Sequence, residues 1–305
     1  MTNNVGVINK AAITTDVIAG GLLSAGQAKK FIEMTFEDAP LCGLVRREQR
    51  TANTGSIDKI GIGSRLLRKK TENEDDEYRA LAAHGSVAYA ATAVRLPWEI
   101  TEETLRQNIA GEEYESVVTE MMTRQVGTDQ EDICLNGDTA VSSSDPDYDF
   151  LKLNDGWIKQ LLNGGHVADM SGGGMSLDVF YDALRTLPKK YNNGRLRWLM
   201  SPGRRQEWER YMINQAVMAG GAVTDKWIES PVSVPVVEVP AMPDDKIILT
   251  DPQNLIVVNT YDVKIRKTTE GKEAIMQDKR FYVIHFDFDP VIEELDAAVI
   301  VKGLD

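Results

Sequence analysis

The residue types that most often carry chemistry are sparse in this chain and are not gathered. A metal centre needs His, Cys or carboxylates at set spacings, yet His84, His166 and His285 stand apart from one another and from Cys42 and Cys134. Asn163-Gly164-Gly165 and Ser171-Gly172-Gly173-Gly174 precede a predicted helix, where backbone N–H groups can cradle a phosphate. No Gly-Lys-Ser/Thr follows them and no apolar strand leads in, so the stretch reads as a flexible surface loop. A soluble hydrolase or transferase with its site near Gly172–Gly174 is the reading this loop leaves open. Gly61-Ile62-Gly63 is too short for a dinucleotide fingerprint, and no serine stands in a Gly-x-Ser-x-Gly elbow. Carboxylates abound, but nothing selects a pair for acid–base work. These residues predict no enzyme, no cofactor and no metal.

What the chain does concentrate is charge at a point of reach. Arg68, Lys69, Lys70, Glu72, Glu74, Asp75, Asp76, Glu77 and Arg79 form a bipolar cluster between two alternating segments. Ile57, Ile60 and Ile62 lead towards it. The return places Ala88, Ala90, Thr92, Val94, Leu96 and Trp98 on one face, with Val87, Tyr89, Ala91 and Ala93 on the other. Period-two patterning predicts strands, hence a hairpin with a charged tip. A two-stranded hairpin is marginal alone in water, so it must lean on its own domain or on a neighbour.

The elements that hold this hairpin follow from spacing. From Gly111 the chain carries Tyr114, Val117, Val118, Met121, Met122 and Val126 on one side, with Glu112, Glu113, Glu115, Glu120 and Asp129 in solvent. Asn136-Gly137-Asp138 is a stop, because Asn and Gly tolerate the left-handed conformation that ends a helix. The result is a helix of about 25 residues, nearly 40 Å long, suited to lying along a thin sheet. Ser142 to Asp147 reads as a surface linker. Ser176 caps a helix with Leu177, Phe180, Tyr181, Leu184 and Leu187 on one face, closed by Pro188. Arg195 to Met200 reads as a strand, and Ser201-Pro202 starts a helix bearing Trp208, Tyr211 and Met212. Short strands follow at 232–239, 246–249, 255–258, 263–267, 281–288 and 297–301. Residues 1–50 read as an arm with weak helical patterns at Ala11–Ile18 and Ala28–Phe36, broken at Pro40-Leu41-Cys42-Gly43.

Composition bounds the rest. The 305 residues are 42% apolar, enough for a substantial core. Two distant cysteines argue for a reducing compartment. No basic leader precedes an apolar core at Met1-Thr2-Asn3, and no run approaches the ~20 apolar residues of a bilayer span, so a soluble, cytosolic product is expected. The net charge is −13, with thirteen acids and only Arg106 and Arg124 between residues 101 and 150. A protein that grips nucleic acid needs a basic footprint, and none is evident.

The order of elements carries one further reading. A long helix ending in Leu135-Asn136-Gly137-Asp138, then a helix and turn into Trp198-Leu199-Met200-Ser201, then a closing Ala297-Ala298-Val299-Ile300-Val301 strand resembles the major capsid proteins of tailed bacteriophages, which have the Hong Kong 97 shell fold. The resemblance spans nearly the whole chain and rests on order more than on any one short motif. It implies an α+β fold with an N-terminal arm (1–50) and an extended hairpin loop (51–97). A peripheral domain with a long spine helix (98–150), an axial α/β domain (151–261) and returning peripheral strands (262–305) would complete it.

As function, the resemblance implies a subunit that self-assembles as pentamers and hexamers into an icosahedral shell enclosing viral double-stranded DNA. The hairpin tip would touch the adjacent subunit, a separate scaffolding protein and a portal would be partners, and the product would reside in the virion after assembly in host cytoplasm. No membrane and no sequence-specific DNA contact are implied. An encapsulin-like compartment is the alternative on the same fold. Some family members crosslink a lysine of this loop to a neighbour's asparagine; Lys69 and Lys70 occupy the tip, but no asparagine or glutamate partner matches, and the chemistry is not carried over.

Overall fold

A computed structural model describes residues 40–61, 69, 83–107, 114–218 and 228–304. The predicted helices of the arm lie outside the described residues. Among those described, eleven strands form two sheets and a separate hairpin.

The first sheet has four strands in the order β1 (Arg46–Gln49), β9 (Leu255–Thr268), β10 (Lys279–Ile292) and β4 (Thr92–Thr101). β10 runs antiparallel to both neighbours, while β1 is parallel to β9. The two short strands expected at 255–258 and 263–267 are one continuous strand of 14 residues. Asn259 to Asp262 breaks the apolar pattern in sequence, but the ladder to β10 carries the backbone through, with register shifts near Asp287.

The hairpin is β2 (Thr54–Gly61) paired antiparallel with β3 (Ala83–Ala90). The return segment, read as one alternation, is two strands divided at Ala91. In β3 the inward residues are Val87 and Tyr89; in β4 they are Val94, Leu96, Trp98 and Ile100. The inward face therefore changes parity across Ala91, so the chain leaves the sheet and enters the hairpin at this single residue.

The spine helix spans Tyr114–Asn136, 23 residues, or about 34 Å at the usual rise. Val118 and Val126 bury as expected, and Ile133, Cys134 and Leu135 seal its final turn. Gly137 ends the helix for a reason other than the one predicted, because its φ is not positive. A Cβ on Gly137 would lie 2.4 Å from the Asn154 carbonyl oxygen, and one on Gly156 would lie 2.5 Å from that of Leu135. Close backbone approach, with Gly156 N–H donating to the Gly137 carbonyl at 2.8 Å, is what demands glycine here.

The second sheet has five strands in the order β5 (His166–Gly173), β11 (Ala298–Leu304), β8 (Lys246–Thr250), β6 (Arg197–Met200) and β7 (Val236–Glu238). Helices Leu177–Thr186 and Pro202–Met218 flank it. Ser201 caps the second as predicted, its Oγ accepting the Arg204 N–H at 3.1 Å; Ser176 stands at the cap of the first without a side-chain bond. The sequence grouped 262–305 with the spine helix, but the structure splits that segment. β10 joins the four-stranded sheet, whereas β11 lies between β5 and β8 in the other. Likewise β4 belongs to the four-stranded sheet from Thr92 onward. A closing Ala-Val run fits either sheet by pattern; full burial of Ala298 to Val301 on both faces selects the interior position.

Candidate assembly interface

The surface with most to offer a partner is the hairpin and its root. Ile57 and Tyr89 pack beneath it on Ile256, Val258 and Val291 of the four-stranded sheet. Tyr89 Oη donates to the Ala52 carbonyl at 3.2 Å, and Ala91 N–H to that of Asn53 at 2.7 Å. Lys59 Nζ donates to the Glu293 carbonyl (2.9 Å) and to Glu294 Oε2 (3.0 Å). On the side of Ala90 the backbone N–H donates to Asp289 Oδ2 at 2.8 Å. So the root is tied to its own body at three points, while Ser56, Asp58, Ile60, Ser86 and Ala88 face outward. Ile60 is 71% exposed on this outer face.

Of the charged residues predicted at the hairpin tip, Lys69 is described and is exposed. Arg68, Lys70, Glu72, Glu74, Asp75, Asp76, Glu77 and Arg79 lie outside the described residues.

The body that carries the hairpin is held by two polar clusters that spacing alone did not single out. Arg280 of β10 grips Glu102, just after β4, and reaches Glu115 of the spine helix at 2.5 Å; Lys267 of β9 meets the same Glu115 at 2.5 Å. Arg280 holds Glu102 below the usual carboxylate range. Burial pushes Glu115 up, but its bonds to Lys267 and Arg280 outweigh that and keep it low. Beside them Trp98 and Tyr282 stack at 5.2 Å. The second cluster centres on Glu131, a carboxylate buried on the spine helix. Its Oε2 accepts the N–H groups of Leu41 (3.0 Å) and Cys42 (3.1 Å), pinning the end of the arm to the helix. Burial raises Glu131 above the ordinary carboxylate range, against those two bonds. Its position four residues before buried Leu135, on one helix face, was the available signal. Asp129, expected in solvent, is half-buried and raised by burial for the same reason.

The glycine-rich stretch does not form the loop expected of it. Asp169 to Gly173 continues β5, and Ser171 (φ 53°) and Gly172 (φ 83°) make a bulge opposite Gly303 (φ 71°). The concavity is already occupied by a carboxylate: Asp169 Oδ1 accepts the Ser171 N–H at 2.9 Å, and Lys302 pairs with its Oδ2 at 3.1 Å. An acidic group at the donors is the opposite of a phosphate cradle. Both cysteines are free; burial lifts the Cys42 thiol to about 11 and holds Cys134 well above its ordinary value, so neither is poised as a nucleophile.

No family model matches the chain. It is 28% identical, over 97% of each sequence, to "Putative prophage capsid protein YqbE" of Bacillus subtilis (strain 168). Among solved structures it is similar to the satellite phage P4 procapsid including size determination protein, with a TM-score of 0.61 at 17% identity over 92% of this chain and 99% of that one. Gordonia phage Cozz gives 0.61 at 12% identity over 99% of this chain and 98% of that one. The SrpI encapsulin complex of Synechococcus elongatus PCC 7942 gives 0.59 at 12% identity over 89% of each. This is the Hong Kong 97 shell fold. In that fold the Tyr114–Asn136 helix is the spine, and the β2–β3 ribbon is the extended loop.

Proposed function

We propose that this chain is the major capsid protein of a tailed phage or prophage, a subunit that self-assembles into an icosahedral shell. The observation that carries the reading is end-to-end similarity to a prophage capsid relative on a shell fold. Its role is structural. The same shape must close into both pentamers and hexamers, and heterologous contacts tolerate the small changes of angle this demands. In this reading the four-stranded sheet with the spine helix is the peripheral lobe, the five-stranded sheet is the axial lobe, and the hairpin tip from Arg68 to Arg79 lies on the adjacent subunit. Many modest contacts then act together, so the shell is far tighter than any single interface. The net charge of −13 suits a container whose wall repels packed double-stranded DNA and lets it slide. A separate scaffolding protein and a portal complete the assembly, which forms in host cytoplasm.

An encapsulin-like compartment is the second reading, favoured by the likeness to SrpI. Electron microscopy of purified particles, together with their contents, decides the matter. Closed shells containing nucleic acid support the phage reading, and shells containing a co-purified protein support the compartment. A compact monomer that never forms particles overturns both.

A further inference from the structure

The point where the hairpin meets the body holds an acid in an unusual setting. Asp289 of β10 is half-buried directly under the Ala90–Ala91 junction, where the inward face of the chain changes parity. Its Oδ2 accepts the Ala90 N–H at 2.8 Å, and its Oδ1 receives a longer contact from Asn154 Nδ2 at 3.3 Å. That amide is mainly engaged by the Phe288 carbonyl at 2.8 Å. Among the described residues no lysine or arginine pairs with Asp289. The charged groups facing it worsen the position. Asp155, just before the Trp157–Gly164 helix, adds like charge, although Lys159 binds it at 2.7 Å; Cys134, from the last turn of the spine helix, brings only a neutral thiol. Burial first, then Asp155, raise the Asp289 carboxyl to about 6 despite the Ala90 bond.

We propose that Asp289 is a proton-controlled latch on the hairpin: neutral, it keeps the root seated on the four-stranded sheet, and ionised, it favours lifting of the root at Ala91. The sign follows from linkage. Lifting the root lets water reach the carboxylate and returns it to the ordinary range near 3.9. The seated state therefore binds the proton more tightly, so seating strengthens as pH falls through 6 and weakens as pH rises above it. With about 6 seated and ~3.9 lifted, the seating equilibrium changes about tenfold between pH 7.5 and pH 5. The opposite root bond, Lys59 to Glu294 at 3.0 Å, acts as the pivot. The inference concerns one subunit and holds whether or not the shell reading does.

The test is hydrogen exchange, read by mass spectrometry on the full chain at pH 7.5 and pH 5 and corrected for intrinsic exchange rates. Amides of β2 and β3 are expected to be about tenfold better protected at pH 5 in the wild type, and Asp289→Asn is expected to remove the difference. Unchanged or weaker protection at pH 5 overturns the proposal. A pH response that survives intact in Asp289→Asn also overturns it and moves the switch to another group, the exposed His84 of β3 being the first to test. Should Asp289→Asn not fold, Asp155→Asn decides instead: loss of the neighbouring charge must shrink the response, and an undiminished one overturns the latch.

Discussion

In the five-stranded lobe, Phe180 stands edge-on to both Trp198 (4.9 Å) and Trp208 (4.7 Å), and all three are sealed from solvent. The indole nitrogens are satisfied by the carbonyls of Pro231 and Ile228, both at 3.2 Å. At the hairpin root, Ile57, Tyr89 and the partly buried Val87 gather with Ile256, Val258 and Val291 in a small, mainly aliphatic cluster. The first region has a core of its own, and the second borrows one. Large aromatic contacts fix a lobe rigidly, whereas a ribbon seated on a few aliphatic residues keeps freedom to change its angle. One chain thus combines a stiff block with an adjustable limb.

The sharpest way to break this contrast is to remove the limb. Deletion of residues 68–79 is expected to leave a folded subunit with unchanged helical circular dichroism and to abolish closed shells in electron micrographs; normal particles would end the claim that the hairpin acts between subunits. Next in size is a paired truncation. Phe180→Ala should cost about 3–5 kcal/mol in denaturant unfolding. Ile57→Ala should cost about 2 kcal/mol, seen first as faster hydrogen exchange confined to the hairpin. Equal global losses from the two would erase the distinction between block and limb.

The anchor of the arm sharpens it further. Glu131→Ala leaves the Leu41 and Cys42 N–H groups unpaired and should lower stability by about 2–3 kcal/mol; Glu131→Gln, which keeps an acceptor, should lose less. Burial holds the Glu131 carboxyl above its unfolded value, so the native state binds its proton more tightly. Its contribution is greatest in acid and fades as pH rises through the raised value. Chemical unfolding across that window should show a slope that Glu131→Gln flattens. The smallest effect belongs to the tip. Lys69→Glu with Lys70→Glu reverses two charges of the tip, and an exposed ion pair gives only about 0–1 kcal/mol, so light scattering should show slower assembly at low salt and near-normal assembly at high salt. Equal slowing at both would show that charge is not the cause.

Much of the block and limb was legible because local pattern determines them. Alternation marked β2 and β3, apolar spacing marked the spine helix, and Ser201-Pro202 marked a helix start that the Arg204 N–H confirms. What escaped reading depends on partners distant in sequence. Ala91 is an ordinary residue whose break exists because β3 pairs with β2 and β4 with β10. Gly137 is needed because Asn154 and Gly156 come close, a contact that no helix-ending rule encodes. Glu131 and Asp289 are carboxylates whose character comes from burial across 90 residues and from the Ala90 junction, respectively. The glycine-rich run looked mobile in sequence but is stitched along β11 as an edge strand.

The placement of β11 has a consequence for synthesis. Translated after all ten other described strands, it slots between β5 and β8 and contributes four consecutive residues with no solvent exposure. Until the ribosome has delivered it, the stiff block has a gap through its centre, so an interrupted polypeptide leaves β5 and β8 without their shared partner and cannot close that core.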